Sequence, residues 1–247
     1  MPLPNLFAAL ALAAVASSAP AAEPLTVLIT GANRGIGLEY ARQLAAKGHT
    51  VIGTARDPGA ASELRAITGR IEALDVTDAS SVAALARRLE GVPIDILINN
   101  AGVGGFDDDH LASIDFDEMQ RTFAVNAFGP LRVTQALLPN LQLGQRKLVV
   151  GMSSQLGSIE RSNGGIYAYR ASKTALNQFN KSLAAEFGPQ GFVFTVLHPG
   201  WVQTEMGGAN ATLTPEESVR GLIGVIEKLG ADDNGRFYDY QGKTIPW

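Results

Sequence analysis

Two tyrosines and a lysine stand close together in the segment Y-A-Y-R-A-S-K, residues 167–173. Tyrosine normally loses its proton near pH ~10, so a tyrosine that exchanges a proton at neutral pH needs a positive charge beside it. Side chains four residues apart meet on one face of a helix, which pairs Tyr169 with Lys173 and leaves Tyr167 level with Ala171. The spacing therefore nominates Tyr169 as a general acid or base. Such a pair also occurs by chance in many helices, so the rest of the chain has to decide.

A second pattern with chemical meaning is the glycine-rich segment T-G-A-N-R-G-I-G, residues 30–37. It lies between a short apolar run and an amphipathic stretch, which predicts a strand, a turn and a helix. Glycine permits a tight turn and lets a phosphate approach backbone N–H groups at a helix N-terminus. The spacing is G-x-x-x-G-x-G rather than G-x-G-x-x-G, so the segment by itself allows either phosphate binding or close packing of helix on strand.

The elements that must position these groups alternate along the chain. Nearly continuous apolar strands between amphipathic helices predict an α/β fold, with a doubly wound parallel sheet covered by helices on both faces. Ligands of such sheets bind at the carboxyl ends of the strands. The predicted strands are L-T-V-L-I-T, T-V-I-G-T-A, R-I-E-A-L-D-V, I-D-I-L-I-N-N, R-K-L-V-V-G-M-S-S, F-V-F-T-V-L-H and one near G-R-F-Y-D-Y, and the later predicted helices cover about 120–141, 167–187 and 215–229.

Composition limits the class of protein. The chain has 247 residues, 46% of them apolar, which suits one α/β domain. Its formal charge of −4 argues against a nucleic-acid binder. There is no cysteine, and His49, His110 and His198 are far apart, so we expect neither disulfides nor a metal centre.

The first 24 residues differ from the rest. They carry an apolar, alanine-rich run and an A-x-A signature at Ala19 and Ala21 of the kind cut by signal peptidase. No Lys or Arg precedes the run, and the run before Pro20 is too short for a membrane span of ~20 residues. Residues 1–24 are therefore either an export signal or the product of a misassigned start codon, and the predicted domain is 25–247.

A series of segments resembles the short-chain dehydrogenase/reductase superfamily. The resemblance covers the chain from about Leu25 to Trp247 and implies a Rossmann-type fold that transfers a hydride between a nicotinamide and a carbonyl or alcohol. M-S-S-Q-L-G-S-I, G-G-I-Y-A-Y-R-A-S-K-T-A-L-N and the ending G-R-F-Y-D-Y-Q-G-K-T-I-P-W are similar to the sniffer carbonyl reductase and C-factor branch. The superfamily segments are T-G-A-N-R-G-I-G at 30–37, N-N-A-G at 99–102, Asn126 in V-N-A-F-G-P-L, Ser153–Ser154 before Q-L-G-S, Tyr169 with Lys173, and H-P-G-W-V-Q-T-E-M at 198–206.

The resemblance implies roles for a catalytic set. Tyr169 would protonate the carbonyl oxygen, and Lys173 would lower the pKa of that tyrosine and bind the nicotinamide ribose. Ser154 would orient the substrate carbonyl. Ser153 is the alternative, since the gap from Ser154 to Tyr169 is longer than is commonest in the family. Asn126 would fix a helix bend and a water that relays protons to Lys173.

Cofactor choice depends on charge near the adenosine ribose, where a cation accommodates the 2′-phosphate of NADP. Arg56 just past the second strand and Arg34 in the glycine-rich segment favour NADP(H), although Asp57 could reverse the preference by binding a hydroxyl. Asp75 and Val76 would flank the adenine. The resemblance implies cofactor contacts from Gly31, Asn33, Arg34, Gly35, Ile36, Gly37, Arg56, Asp75, Val76, Asn99, Ala101, Gly102, Tyr169, Lys173, Pro199, Gly200, Val202 and Thr204.

The expected partner is a small carbonyl or alcohol substrate, with no nucleic acid and no stable membrane span. Only a short stretch separates Thr204 from the helix at Pro215, so we expect a small lid and an open site. Trp201, Met206, Leu156 and Tyr167 are candidate apolar lining residues. By analogy with relatives, a homodimer would form through the helices that bear Asn126 and Tyr169.

Three other functions are compatible with parts of the sequence. A dinucleotide-binding sensor of the C-factor type with little turnover remains an alternative. A serine hydrolase is excluded because G-M-S-S-Q lacks the second glycine of the nucleophile elbow. An extended-family epimerase would need a longer chain. Because NADPH is maintained in the cytosol, we expect a cytoplasmic location, or a periplasmic or secreted one if residues 1–21 are a signal peptide.

Overall fold

A computed structural model describes residues 23–104 and 110–247. The segment 1–24 lies almost wholly outside this range, so the export signal, the start codon and the cellular location stay predictions. Within the described residues, the model contains no helix with the length and apolar character needed to cross a membrane.

Seven parallel strands form a single sheet in the order β3-β2-β1-β4-β5-β6-β7. The strand order reverses between β1 and β4, which creates the crevice where ligands bind in such folds. The doubly wound parallel sheet predicted from the sequence is confirmed. The strands are β1 Thr26–Ile29, β2 Thr50–Ala55, β3 Arg70–Ala73, β4 Ile96–Asn99, β5 Leu148–Met152, β6 Val193–His198 and β7 Arg236–Asp239.

Eight helices cover the two faces of this sheet in the described residues. The first, second and last of them pack on one face, the third, fifth, sixth and seventh pack on the opposite face, and the fourth packs against the seventh. The helices are α1 Gly35–Ala46, α2 Ser62–Arg65, α3 Ala79–Arg88, α4 Phe116–Phe123, α5 Gly129–Ala136, α6 Leu138–Leu143, α7 Tyr167–Phe187 and α8 Pro215–Ile226.

The central strands are apolar at every position because both of their faces are buried. Successive side chains point to opposite faces of a strand. In β1, Val27 and Ile29 therefore join the core under α1 and α8, whereas Leu28 joins the core under α3 and α5. This two-sided burial explains why the strands show continuous apolar runs rather than alternation.

The prediction of one continuous helix over about 120–141 is wrong. The segment starts earlier, where the Asp115 carboxylate accepts hydrogen bonds from the N–H groups of Asp117 and Glu118 and caps α4. A π-helical turn, Ala124–Phe128, then separates α4 from α5. A second break falls where Pro139 opens α6, since proline cannot donate the hydrogen bond that would continue the preceding helix.

Two other boundaries differ from prediction in smaller ways. Helix α8 ends at Ile226 rather than near Leu229. Its start agrees, because Thr214 and Glu217 cap it reciprocally in a capping box. The four-residue helix α2 was not predicted, since one turn is too short to show a helical period.

Candidate active site

The predicted site residues converge on the carboxyl edge of the sheet. The glycine-rich turn follows β1, N-N-A-G follows β4, the serine pair follows β5, and the segment 198–206 begins at the end of β6. Helix α7 brings Tyr169 and Lys173 to the same edge, where it packs against the short helical turn after the serines.

The two serines after β5 face different partners. The Ser153 hydroxyl donates to Asn177 Oδ1 at 2.6 Å and is buried against α7. Ser154 forms a side-chain hydrogen bond with Tyr169, and its Oγ accepts from the N–H of Leu156 at 3.2 Å. Of the two serines, the geometry therefore brings Ser154 to the tyrosine.

Tyr169 and Lys173 lie side by side on one face of α7, as their spacing of four residues predicts. Both side chains are buried, at 8% and 5% exposure, whereas Tyr167 is 36% exposed. The Lys173 Nζ lies 5.6 Å from the centre of the Tyr169 ring and donates to the main-chain oxygen of Met152 at 2.8 Å. The two residues one helical turn apart thus meet in an enclosed site.

In the protein alone the pKa of Tyr169 is raised rather than lowered, and the lowering by Lys173 beside a bound nicotinamide stays a prediction. Burial raises the pKa of Tyr169 to about 12, and the hydrogen bond with Ser154 only partly opposes this. Burial also lowers the pKa of Lys173 to about 8. Both shifts have one cause, which is that a low-dielectric site disfavours the charged form of each group. The tyrosine consequently holds its proton at neutral pH.

Asn126 ties the catalytic helix to the segment after β4. Its side chain is fully buried in the π-helical turn, where Oδ1 accepts from the N–H of Val103 at 2.9 Å and Nδ2 donates to the Val103 oxygen at 3.0 Å. The other Nδ2 hydrogen reaches Ser172 Oγ at 3.1 Å. The Ser172 hydroxyl in turn donates to the main-chain oxygen of Tyr169 at 2.8 Å. The predicted helix bend is present at this residue as a π turn.

The glycine-rich turn has the shape of a cradle for a phosphate. Gly31 and Gly35 adopt φ of +63° and +54°, a conformation that favours glycine. A Cβ at Gly31 would lie 3.1 Å from the Cα of Ala101. At the start of α1, Arg34 supplies no side-chain cap, so the first N–H groups of this helix remain available to an anion. The residues present therefore fit a dinucleotide diphosphate.

Gly37 serves the alternative role considered for this turn, which is close packing of helix on strand. A Cβ there would lie 2.3 Å from the Gly31 oxygen and 2.5 Å from Asn100 Nδ2. This glycine is required for close packing of helix on strand, whereas Gly31 and Gly35 are required for the turn. Asn33 is exposed and Ile36 is half-buried on the same turn.

The segments after β4 and β6 close the crevice. A Cβ at Gly102 would lie 3.3 Å from Asn126 Oδ1 and 3.6 Å from Lys173 Nζ, and one at Gly35 would lie 3.4 Å from Thr204 Cγ2. The Asn99 side chain is directed away, since its Nδ2 donates to Thr134 Oγ1 on α5 at 3.1 Å.

The remaining predicted residues of the β6 segment have structural contacts of their own. Val202 is buried, and the Pro199 oxygen accepts from the Ser218 hydroxyl of α8 at 2.6 Å. Gly200 has a φ of +83° and packs against Tyr240. These contacts fix the segment on α8 and the end of the sheet.

The residues predicted at the adenosine end lie together past β2 and β3. Arg56 is exposed, and its charge helps to lower the pKa of Asp75, after the larger effect of hydrogen bonds from Thr77. The Asp57 carboxylate accepts from the N–H of Gly59 at 2.8 Å and is engaged in its own loop. Val76 is buried against α5.

Arg34, a predicted cofactor-binding residue, is ion-paired within the protein. Its guanidinium forms an ion pair with Glu205 of the segment after β6, and both side chains are largely exposed. The pair links the glycine-rich turn with the predicted lid.

The candidate substrate-facing side chains stand at an open mouth. Trp201 and Met206 are 52% and 43% exposed, and Leu156 is half-buried. The Trp201 indole nitrogen donates to the Gly207 oxygen at 2.8 Å, which fixes the ring on its loop. These residues are not part of the core.

Three polar groups of the site were missed by the sequence patterns. Ser172 and the Met152 oxygen hold Asn126 and Lys173, as described above. The third is the Thr30 hydroxyl, which accepts from the N–H groups of Asn100 and Ala101 at 2.9 and 3.0 Å and joins the ends of β1 and β4. Among residues 23–104 and 110–247, no cluster of three or more His, Asp or Glu has the arrangement of a metal site.

Comparison with known proteins places this chain in one family. A family model described as short chain dehydrogenase matches residues 25–213. The chain belongs to the short-chain dehydrogenase family. The predicted membership is therefore confirmed. The predicted resemblance to the sniffer and C-factor branch is also confirmed, by the similar proteins described next.

One such relative is C-signal of Myxococcus xanthus, which is 51% identical over 156 residues, covering 63% of this chain and 93% of the relative. The NADPH-bound carbonyl reductase from chicken fatty liver is similar in structure with a TM-score of 0.84 at 33% identity, covering 91% of this chain and 99% of that one. The carbonyl reductase Sniffer of D. melanogaster also has a TM-score of 0.84, at 32% identity, covering 91% of this chain and 100% of that one.

Proposed function

We propose that this short-chain dehydrogenase is an NADP(H)-dependent carbonyl reductase with Tyr169 as its general acid. The observation that carries the proposal is the buried Ser154–Tyr169 hydrogen bond beside the Lys173 ammonium. Structural similarity to an NADPH-bound carbonyl reductase and to Sniffer supports both the reaction class and the cofactor.

The chain supplies the proton and the orientation for such a reaction. When bound, the reduced nicotinamide supplies a hydride to the carbonyl carbon. Ser154 and Tyr169 present two hydroxyl groups to one carbonyl oxygen, and Tyr169 releases its proton to that oxygen as negative charge develops. Lys173 stabilises the resulting tyrosinate with its positive charge. A phenol whose pKa is about 12 carries its proton at neutral pH, so Tyr169 has a proton to donate.

The residues that would hold the cofactor follow from the same geometry. The uncapped N–H groups at the start of α1 would bind the diphosphate, and Arg34 and Arg56 would bind the 2′-phosphate. Asp75 and Val76 would flank the adenine. Lys173 would bind the ribose, and Val202 and Thr204 would bind the carboxamide. Main-chain atoms of the segments after β1, β4 and β6 would supply the remaining contacts.

Replacing the general acid tests the proposed reaction. Tyr169→Phe removes only the hydroxyl, so carbonyl reduction should fall by roughly 10³-fold while NADPH affinity changes little. The measurement is the loss of NADPH absorbance over a panel of aldehydes, ketones and quinones, together with fluorescence titration of NADPH. Tyr167→Phe is the matched control and should retain most of the activity. A Tyr169→Phe protein that keeps wild-type turnover would refute the assignment.

A cation swap tests the preference for NADP(H). Arg56→Ala should raise the Michaelis constant for NADPH about 10-fold or more, because a charge-assisted hydrogen bond to phosphate is worth roughly 1.5–3 kcal/mol. The constant for NADH should change little. Arg220→Ala, an exposed arginine on α8, is the control. Equal effects of Arg56→Ala on both cofactors would contradict the phosphate role.

A second candidate function is a dinucleotide-binding sensor with little turnover. The match to C-signal over 156 residues is the observation that favours it. The two functions differ in one measurable respect, which is whether bound NADPH is oxidised. Tight NADPH binding without oxidation on any member of the carbonyl panel would support the sensor.

The remaining proposals concern assembly and location. We propose a homodimer that buries the exposed Phe128 between α4 and α7, a prediction tested at the scale of the whole molecule below. We also propose that the protein acts in the cytoplasm, where NADPH is maintained. Sequencing the N-terminus of the protein from its native host tests the location, because a mature chain starting near Ala22 would overturn it.

A further inference from the structure

The ion pair between Arg34 and Glu205 joins two walls of the candidate cofactor crevice. Arg34 belongs to the glycine-rich turn that follows β1, and Glu205 belongs to the segment that follows β6. The two walls come close beside the pair, since a Cβ at Gly35 would lie 3.4 Å from Thr204 Cγ2. The pair therefore bridges the crevice between the turn proposed to bind the diphosphate and the segment proposed to bind the carboxamide.

The segment that carries the glutamate, residues 199–213, holds its shape through hydrogen bonds of its own. The N–H of Gln203 donates to the Leu213 oxygen at 2.8 Å, and the N–H of Leu213 donates to the Trp201 oxygen at 3.0 Å. Among the described residues, the pair with Arg34 is the one ion pair that this segment forms. The pair is thus the charged link between the segment and the glycine-rich turn.

Arg34 differs in this respect from Arg56, the other cation proposed for the 2′-phosphate. Arg56 is exposed and forms no ion pair with a carboxylate in the described part of the chain. The Arg34 guanidinium, in contrast, already binds the Glu205 carboxylate. An anionic ligand that binds Arg34 has to replace this carboxylate, because two anions beside one guanidinium repel each other.

The pair is weak enough to be exchanged. Its side chains are 65% and 76% exposed, and exposed ion pairs contribute little to stability because water screens them. A phosphate group carries up to about two negative charges and accepts two parallel hydrogen bonds from a guanidinium. A 2′-phosphate therefore competes for Arg34, whereas an uncharged 2′-hydroxyl does not.

We propose that Glu205 determines how strongly this protein prefers NADP(H) over NAD(H), by competing with the 2′-phosphate for Arg34. This role of Glu205 rests on the proposed function, because it takes NADP(H) as the cofactor. Arg34 exchanges Glu205 for the phosphate when NADP(H) binds and keeps Glu205 when NAD(H) binds. Glu205 thus weakens the binding of NADP(H) but not that of NAD(H). The exchange also removes the ion pair of the segment that bears Trp201 and Met206 at the mouth of the site.

Glu205→Gln tests the competition with two nucleotides that differ only in the 2′-phosphate. 2′,5′-ADP carries this phosphate and 5′-AMP lacks it, and neither contains the nicotinamide that could reach the segment after β6. Isothermal titration calorimetry on the full chain should give a dissociation constant for 2′,5′-ADP about two- to fivefold lower in Glu205→Gln than in the wild type. The constant for 5′-AMP should not change. Glu216→Gln removes a similarly exposed carboxylate, paired with Arg220 on α8, and as the matched control should change neither constant.

A second variant shows whether the effect passes through Arg34. Arg34→Gln should weaken the binding of 2′,5′-ADP and abolish the gain from Glu205→Gln, because no guanidinium remains to be freed. Equal tightening of both nucleotides by Glu205→Gln would indicate a general charge effect, and weaker binding would indicate that Glu205 closes over the ligand. Either result, or a gain that persists in Arg34→Gln, would overturn the proposal. Both side chains are largely exposed, so neither substitution disturbs the core.

The outcomes for Glu205 are distinct from those for the reductase. A protein that oxidises NADPH with the carbonyl panel, but binds 2′,5′-ADP equally well with and without Glu205→Gln, would refute the role of Glu205 and leave the proposed function intact. A protein that binds neither NADPH nor 2′,5′-ADP would refute both.

Discussion

The buried charge of Lys173 serves the proposed reaction but lowers the stability of the fold. Its ammonium group is buried beside Tyr169 with the Met152 oxygen as a hydrogen-bond partner. Burial lowers the pKa of Lys173 from 10.5 to about 8, which corresponds to a penalty of roughly 3 kcal/mol for carrying the charge in the folded state. A chain that needed only to fold would not keep a lysine there.

Removing this charge should stabilise the protein. We expect Lys173→Met to raise the free energy of unfolding by about 1–3 kcal/mol at pH 7, since the burial penalty exceeds the value of one lost hydrogen bond. The gain should shrink as the pH rises from about 8 towards 10.5, because the wild-type lysine becomes neutral when folded while it is still charged when unfolded. Urea unfolding of both proteins at several pH values measures this.

Lys228→Met is the matched control, because Lys228 is exposed. It should show no such pH-dependent gain. A Lys173→Met protein that is less stable than wild type across this range would show that the ammonium group stabilises the fold. The same variant should lose carbonyl reduction under the proposed function.

At the scale of elements, the hydroxyl of Ser172 joins the π-helical turn that carries Asn126 to the main chain of α7. Helix α7 and the π-helical turn between α4 and α5 meet at Ser172, whose hydroxyl accepts from Asn126 Nδ2 and donates to the main-chain oxygen of Tyr169. A π turn widens the helix by one residue and commonly marks a functional position. Here it lets the Asn126 side chain reach both Val103 and α7.

Ser172→Ala should therefore affect both stability and turnover. It leaves an Asn126 N–H without its partner in a fully buried place, which costs about 1–3 kcal/mol. We expect kcat to fall about tenfold with little change in KM, because Asn126 loses its hydrogen bond to α7, the helix that carries Tyr169 and Lys173, while the substrate pocket is unaltered. Melting curves and steady-state kinetics provide the two measurements.

Thr174→Ala serves as the comparison, since its hydroxyl bonds only to main-chain oxygens on the other side of α7. It should lose stability while keeping kcat. If Ser172→Ala lowers stability without lowering kcat, its hydroxyl is structural and not a positioning group.

Elements whose bounds depend on nearby residues could be predicted from the sequence. The bounds of α7 were predicted correctly, because its apolar period and the glycine that follows it are both visible in the chain. The segment 120–141 was misread as one helix. A π turn leaves no period of its own within five residues, and its formation depends on Val103 and Ser172, which are distant in sequence.

The whole molecule presents aromatic surface beside the same elements. Phe128 is 47% exposed, and its ring lies 6.2 Å from that of Phe123 and 6.3 Å from that of Phe179. An exposed aromatic cluster of this kind is typical of protein contacts. This aromatic cluster lies at the helices that bear Asn126 and Tyr169, through which we expect the homodimer to form.

Phe128→Glu should convert the proposed homodimer into a monomer. A carboxylate at the centre of a contact would have to be buried without a partner, which strongly disfavours association. Sedimentation velocity at micromolar concentration measures the change, with circular dichroism to verify the fold. Leu143→Glu is the control, because Leu143 is 57% exposed at the end of α6. A monomeric wild-type protein would refute the homodimer.

The sequence by itself determined the sheet type, the crevice at the strand ends and the residues that meet on α7. These features depend on short-range rules, namely apolar runs, glycine turns and the spacing of one helical turn. Only the tertiary structure decided that Ser154 and not Ser153 meets Tyr169, and that burial raises the pKa of this tyrosine. Both outcomes depend on which distant groups share an enclosed volume, and dielectric screening and long-range hydrogen bonds leave no periodic trace in a chain.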